Sequence, residues 1–178
     1  TVAFASSGAM IAIEKKMDIF GVNVLGATTA VGGGIMRDII LGLTPPGAFS
    51  HPVYVLVAAL TSTILFVIAY AKPTAFESRV KTDYYDKLMF WCDTAGLGIF
   101  TVVGIQAAVR AVGGENVFFF VFIGTLTGVG GGVLRDIMAG ETPYILVKHI
   151  YACAAIAGGI VCVVGRTAFG EAYGTILG

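Results

Sequence analysis

Two short stretches of this sequence share three consecutive glycines followed by an adjacent arginine and aspartate. The second copy lies 98 positions after the first, and a Thr-Pro pair follows each. They contain Gly32, Gly33, Gly34, Arg37 and Asp38, and Gly130, Gly131, Gly132, Arg135 and Asp136. In a membrane helix, each charged residue costs about 2.5–3.5 kcal/mol and each glycine costs roughly 1 kcal/mol relative to alanine. Because this free-energy cost occurs in both copies, we infer that the motif has a function. Charged residues and glycines within a membrane suit the passage of an ion or a polar solute.

The glycine triplets allow two interpretations. They can unwind or kink their helices, so that backbone carbonyls and the positive end of a half-helix face a water-filled path. Alternatively, small residues let two membrane helices approach closely. A triplet breaks a helix more strongly than a spaced pair of small residues does. We therefore favour the pathway interpretation and predict a kink at each triplet.

The charged pairs also allow two interpretations. Adjacent helical residues project about 100° apart, so Arg37 and Asp38 are expected to need other partners. One hypothesis is a quartet across a symmetry axis, with Arg37 near Asp136 and Arg135 near Asp38. The alternative places Arg37 near the outer half of its span, where its side chain extends to the lipid headgroups.

Further polar side chains lie close to the two motifs. Four threonines precede the glycines on the same segments: Thr28, Thr29, Thr125 and Thr127. Their hydroxyls could line a path or bond their own helix backbone. Asp18 and Asp93 lie near the beginnings of their spans, where each is a helix cap or a pathway residue. No nucleophile and base set, phosphate loop or metal cluster is recognisable, so we expect no enzyme activity, no bound metal and no cofactor.

The composition is that of a membrane protein. Hydrophobic residues make up 57% of the 178 residues, charged residues 12%, and the mean hydropathy is +0.89. Soluble domains have about a quarter charged residues. The lipid bilayer is therefore the expected partner. A net charge of zero argues against a nucleic-acid partner.

The apolar segments predict an all-α membrane protein with two three-helix repeats. Residues 1–71 form the first repeat, 72–87 a polar cytoplasmic linker, 88–166 the second repeat, and 167–178 the start of a C-terminal segment. An odd number of spans inverts the second repeat relative to the first. The triplets then lie in spans two and five, which run antiparallel. Because lysine and arginine concentrate at one face, we expect the N-terminus outside.

The segments at 29–38 and 127–136 resemble the signature of the prokaryotic trimeric intracellular cation (TRIC) channel family, also catalogued as a glycine-transporter-like domain family. Further similar stretches lie at 4–9, 18–22, 93–97 and 151–152. The resemblance implies a seven-helix protomer, a homotrimer in the prokaryotic inner membrane, and one pore per protomer. Bent spans two and five would line a potassium-permeable path. A full seventh helix is not visible in the sequence.

Two functions follow as expectations. The first is a passive monovalent cation channel, in which carbonyl and hydroxyl oxygens replace the water around potassium, the transported ion. The alternative is a secondary transporter of a small zwitterion such as glycine, with the Arg-Asp pairs holding the two substrate charges. A membrane scaffold without transport ranks lowest, since it leaves the charged residues unexplained.

Overall fold

The computed structural model describes residues 1–71, 83–114, 116–147 and 149–169, and these residues form helices joined by short turns. The helices are α1 (Val2–Glu14), α2 (Ile19–Ile40), α3 (Gly47–Ser50), α4 (Val53–Ala71), α5 (Asp83–Val112), α6 (Val117–Met138), α7 (Tyr144–Val147) and α8 (His149–Phe169). The predicted all-α fold is confirmed.

The described helices differ in whether they could cross a membrane. Four stretches are long and apolar enough to cross a membrane: Ile19–Ile40, Val53–Ala71, Met89–Val112 and Val117–Met138. Val2–Glu14 and Cys153–Arg166 are shorter apolar helices. Most of the predicted linker and of the C-terminal segment, at 72–82 and 170–178, lies outside the described residues. The residues 83–87, assigned to the linker from sequence, belong to α5.

Asparagine and aspartate caps determine where two of the spans begin. The Asp18 carboxylate accepts a hydrogen bond from the Gly21 backbone N–H at 2.8 Å, and the Asn116 side chain accepts one from Phe119 N–H at 3.0 Å. Such bonds satisfy donors that a helix N-terminus leaves without partners. The capping interpretation of Asp18 is therefore confirmed.

The two repeats pack their first and second helices in the same way. In the first repeat, Gly8 of α1 lies against Thr29 of α2, and in the second, Gly104 of α5 lies against Thr127 of α6. A Cβ at either glycine would approach the threonine hydroxyl too closely. The sequence repeat is therefore also a repeat of helix contacts.

Helices α2 and α6 cross antiparallel through their glycine triplets. A Cβ on Gly33 would overlap the carbonyl oxygen of Thr127, and a Cβ on Gly131 would overlap that of Thr29. Thr29 contacts Gly131 and the later residue Gly33 contacts the earlier residue Thr127, so the two helices run in opposite directions. Backbone thus lies directly on backbone at the centre of the bundle.

The triplets do not unwind their helices. Both α2 and α6 are assigned as continuous α-helix from end to end. Of the two possibilities, unwinding or kinking, unwinding is therefore wrong. Gly33 and Gly131 allow the two helices to approach closely, which does not require a broken helix. The kink at each triplet stays a prediction.

Candidate functional site

Each arginine of the doubled motif bonds the aspartate that follows it. Arg37 Nε lies 2.8 Å and Nη2 lies 2.7 Å from Asp38 Oδ1. In the second copy, Arg135 Nε lies 2.8 Å from Asp136 Oδ1. The other carboxylate oxygen of each aspartate accepts a backbone N–H, from Gly47 at 2.7 Å and from Tyr144 at 2.8 Å. Each motif thus holds the short helix that follows its Thr-Pro pair.

The expected quartet across the symmetry axis is wrong. Contacts of Thr29 with Gly131 and of Thr127 with Gly33 place the crossing of α2 and α6 near residues 31 and 129. Arg37 and Arg135 each lie six residues beyond that crossing, in opposite directions. At 1.5 Å per residue, this separates them by roughly 18 Å along the bundle. Neither arginine can reach the aspartate of the other motif.

The expectation that Arg37 and Asp38 could not pair is also wrong. The projection of about 100° describes where the Cβ atoms point, but an arginine side chain has a long flexible stem that can turn back along the helix. The observed 2.8 Å bond from Nε to the next residue uses that reach.

Among the residues that the structure describes, the second motif has two partners with no counterpart at the first motif. Arg135 Nη1 lies 2.7 Å from both carboxylate oxygens of Asp93 and also donates to the hydroxyl of Ser7. The Arg135 side chain is 3% exposed, compared with 16% for Arg37. Asp93 is therefore an ion-pair partner within the bundle. With both carboxylates ionised, Asp93, Asp136 and Arg135 carry a net charge of −1.

Sequence reasoning singled out Asp93 without its partner, and it gave Ser7 no role although Ser7 lies in the similar stretch at 4–9. The available signal was the burial cost: an aspartate within an apolar span requires a cation, and Arg135 is one of few cations in such a segment. Nothing in the local sequence around Ser7 distinguishes it from a small packing residue.

Two cavities lie on corresponding faces of α2 and α6. The larger has a volume of about 430 Å³ and contacts Arg37, and the smaller has about 20 Å³ and contacts Arg135. Equivalent positions line both cavities: Ala30 and Gly128, Val31 and Val129, Gly34 and Gly132, Arg37 and Arg135, Asp38 and Asp136. Because the two helices are antiparallel, the cavities lie toward opposite ends of the bundle.

The six glycines divide into three pairs by their surroundings. Gly33 and Gly131 form the helix contact, while Gly34 and Gly132 face the cavities, with nothing nearer to an added Cβ than 3.9 and 3.8 Å. Gly32 packs against the side chain of Leu134. Its counterpart Gly130 lies against the Gly33 backbone and the Met36 side chain.

The four threonines have different environments. Thr29 and Thr127 are buried and donate to their own helix, to Leu25 O at 2.6 Å and to Ile123 O at 2.7 Å. The Thr125 hydroxyl is buried without a hydrogen-bond partner in the described part of the chain, and Thr28 is half-buried beside Gly32. A role of any of them in conduction stays a prediction.

The structure is similar to solved TRIC channels. One, from work on conductance through TRIC cation channels, is 36% identical with a TM-score of 0.82, covering 99% of this chain and 81% of that one. Another is the TRIC trimeric intracellular cation channel orthologue of Rhodobacter sphaeroides, at 34% identity and a TM-score of 0.84, covering 98% and 84%. A prokaryotic TRIC channel in 0.5 M KCl has a TM-score of 0.85 at 30% identity, covering 99% and 84%.

Comparison of the sequence with protein families agrees with this structural similarity. A model described as "Glycine transporter" matches residues 1–70 and 90–167. The chain belongs to this family, the prokaryotic TRIC family. Among the relatives of this chain, the UPF0126 membrane protein of Deinococcus radiodurans is 39% identical over 88% of this chain and 68% of that protein. The UPF0126 inner membrane protein YadS of Escherichia coli is 39% identical over 90% of this chain and 72% of its own length.

Proposed function

We propose that this TRIC-family chain is a potassium-permeable cation channel with one conduction path in each protomer. The observation that carries the proposal is the pair of cavities on matching faces of α2 and α6, which lie toward opposite ends of the bundle. The solved structures that it resembles over nearly its whole length are described as cation channels.

The proposed path runs beside the crossing of α2 and α6. It cannot pass through the crossing, because Gly33 and Gly131 bring the two backbones into contact there. The cavity-facing glycines Gly34 and Gly132 leave room on one side of the crossing. Helices α1 and α5 complete the wall on that side through Phe4 and Phe100.

Electrostatics favours a cation over an anion in this path. With the carboxylates ionised, the cluster of Asp93, Arg135 and Asp136 at the smaller cavity has a net charge of −1, and the pair of Arg37 and Asp38 at the larger cavity is neutral. A negative charge within a low-dielectric wall attracts cations over distances of several ångströms.

The proposed channel is a homotrimer in the prokaryotic inner membrane, with its N-terminus outside. The Rhodobacter sphaeroides structure is described as trimeric, and the Escherichia coli relative is named an inner membrane protein. The orientation rests on the excess of lysine and arginine at one face, which is expected to be cytoplasmic. The cavity beside Arg37 then opens outward, and the cluster around Arg135 lies toward the cytoplasm.

A transporter of a small zwitterion is the second candidate, because the family model carries the description "Glycine transporter". Such a substrate needs a free cation for its carboxylate and a free anion for its ammonium group. Here each arginine is already bonded to its neighbouring aspartate. This pairing supports the channel over the transporter.

Purified protein in potassium-loaded liposomes distinguishes the two functions. We expect potassium efflux that does not saturate with concentration and is unaffected by glycine. Liposomes that contain the protein are expected to take up no more radiolabelled glycine than empty liposomes do. Saturable glycine uptake without potassium efflux would instead establish the transporter.

A further inference from the structure

Two phenylalanine rings lie between the cavities. Phe4 of α1 lines the smaller cavity and Phe100 of α5 lines the larger one. Their ring centroids are 5.2 Å apart with planes inclined by 14°, which is a stacked arrangement. A solute that moved from one cavity to the other along this wall would have to pass the stacked pair.

The pair lies at equivalent positions of the two repeats. Phe4 precedes Gly8 by four residues, and Phe100 precedes Gly104 by four residues. Since Gly8 and Gly104 make matching contacts with α2 and α6, the rings meet where the repeats are related to each other. The rings therefore stack at the centre of the bundle, midway between the two charged motifs.

The two rings are held differently. Phe4 is 3% exposed and lies directly on the backbone of Gly96, where an added Cβ would overlap the ring. It also lies 3.6 Å from the position that a Cβ on Gly131 would take. Phe100 is half-buried and borders a cavity of about 430 Å³, which leaves space for its side chain to rotate.

We propose that the stacked pair of Phe4 and Phe100 is the apolar constriction of the conduction path, and that Phe100 is the ring that moves aside when ions pass. This proposal rests on the channel function. Aromatic rings offer no oxygen atoms to replace the water around a cation, so a narrow apolar passage excludes both water and ions. Phe4 is the fixed side of the constriction because Gly96 and Gly131 enclose it.

The test compares Phe100→Asn with Phe100→Leu in the full-length protein, by potassium efflux from liposomes. Asparagine and leucine have the same number of side-chain heavy atoms with the same branching at Cγ, so the two variants differ mainly in how well their side chains bind water in the passage. We expect Phe100→Asn to conduct at least several-fold faster than wild type and Phe100→Leu to remain near the wild-type rate. A packing role alone predicts no gain for either variant.

Phe118→Ala is the matched control, because Phe118 and Phe122 form a stacked pair with centroids 6.4 Å apart on the exposed face of α6. We expect wild-type efflux from this variant. If Phe100→Asn conducts no faster than Phe118→Ala while wild type conducts, the constriction is refuted and the channel stands. If neither wild type nor any variant releases potassium, the channel function itself is refuted.

Discussion

At the scale of single residues, the two copies of the motif share one arrangement but differ in their surroundings. Each arginine bonds the next aspartate, and each aspartate also accepts an N–H from the short helix that follows. Only Arg135 is also enclosed by Asp93 and Ser7. Buried ionic groups are tolerable only when they have such partners. The second motif therefore has more ionic partners and borders a cavity of about 20 Å³, whereas the first motif borders one of about 430 Å³.

The importance of Asp93 can be tested by the substitution Asp93→Asn. Arg135 keeps Asp136 but loses a carboxylate that accepts two bonds from Nη1, and a hydrogen bond to a charged group contributes about 1.5–3 kcal/mol. We expect a clearly lower midpoint of thermal unfolding in detergent micelles. Asp18→Asn is the control, since Asp18 is an exposed cap and asparagine caps a helix equally well. Equal midpoints for the two variants would contradict this role of Asp93.

At the scale of the helices, each glycine triplet allows α2 and α6 to pack closely and also leaves a cavity beside the helix unfilled. Within three consecutive residues, the chain places one glycine in the contact between α2 and α6 and the next toward a cavity. The same division occurs in both repeats. Consecutive glycines are required because neighbouring positions on a helix face different directions, and here more than one of those directions must be free of side chains.

Alanine substitutions within the triplets should therefore change thermal stability by different amounts, depending on which glycine is replaced. Gly33→Ala and Gly131→Ala insert a methyl group against backbone, and overpacking of this kind costs about 1–3 kcal/mol or more. In Gly34→Ala and Gly132→Ala the added methyl group meets only an arginine side-chain nitrogen, at 3.9 and 3.8 Å, which is ordinary van der Waals contact. We expect a large loss of thermal stability for the first two variants and little change for the second two. Equal losses for all four would contradict this division.

The sequence predicted the helices better than it predicted the contacts between them. The long apolar segments were enough to predict the six longer helices, and the odd number of spans in each repeat was enough to predict that the repeats are inverted. The pairing of Asp93 with Arg135 joins residues 42 positions apart, and it depends on the packing of α5 against α6. The four-residue helices α3 and α7 carry no apolar period of their own. Their position depends on Asp38 and Asp136, whose side chains hold them.

At the scale of the whole molecule, the two repeats share helix contacts but differ in the side chains around them. The inverted repeats produce two equivalent cavities, yet one has about 430 Å³ and the other about 20 Å³. The smaller cavity contacts the enclosed Arg135 cluster, and the stacked phenylalanines separate it from the larger one. In the proposed channel, both the cluster and the rings must rearrange for ions to pass.

Current through a planar bilayer tests the central claim of a cation channel most directly. The protein is reconstituted between two chambers of unequal KCl concentration, so that potassium and chloride have reversal potentials of opposite sign. We predict discrete single-channel currents that reverse close to the potassium equilibrium potential. Reversal near the chloride potential, or an absence of discrete currents from correctly folded protein, would contradict the account.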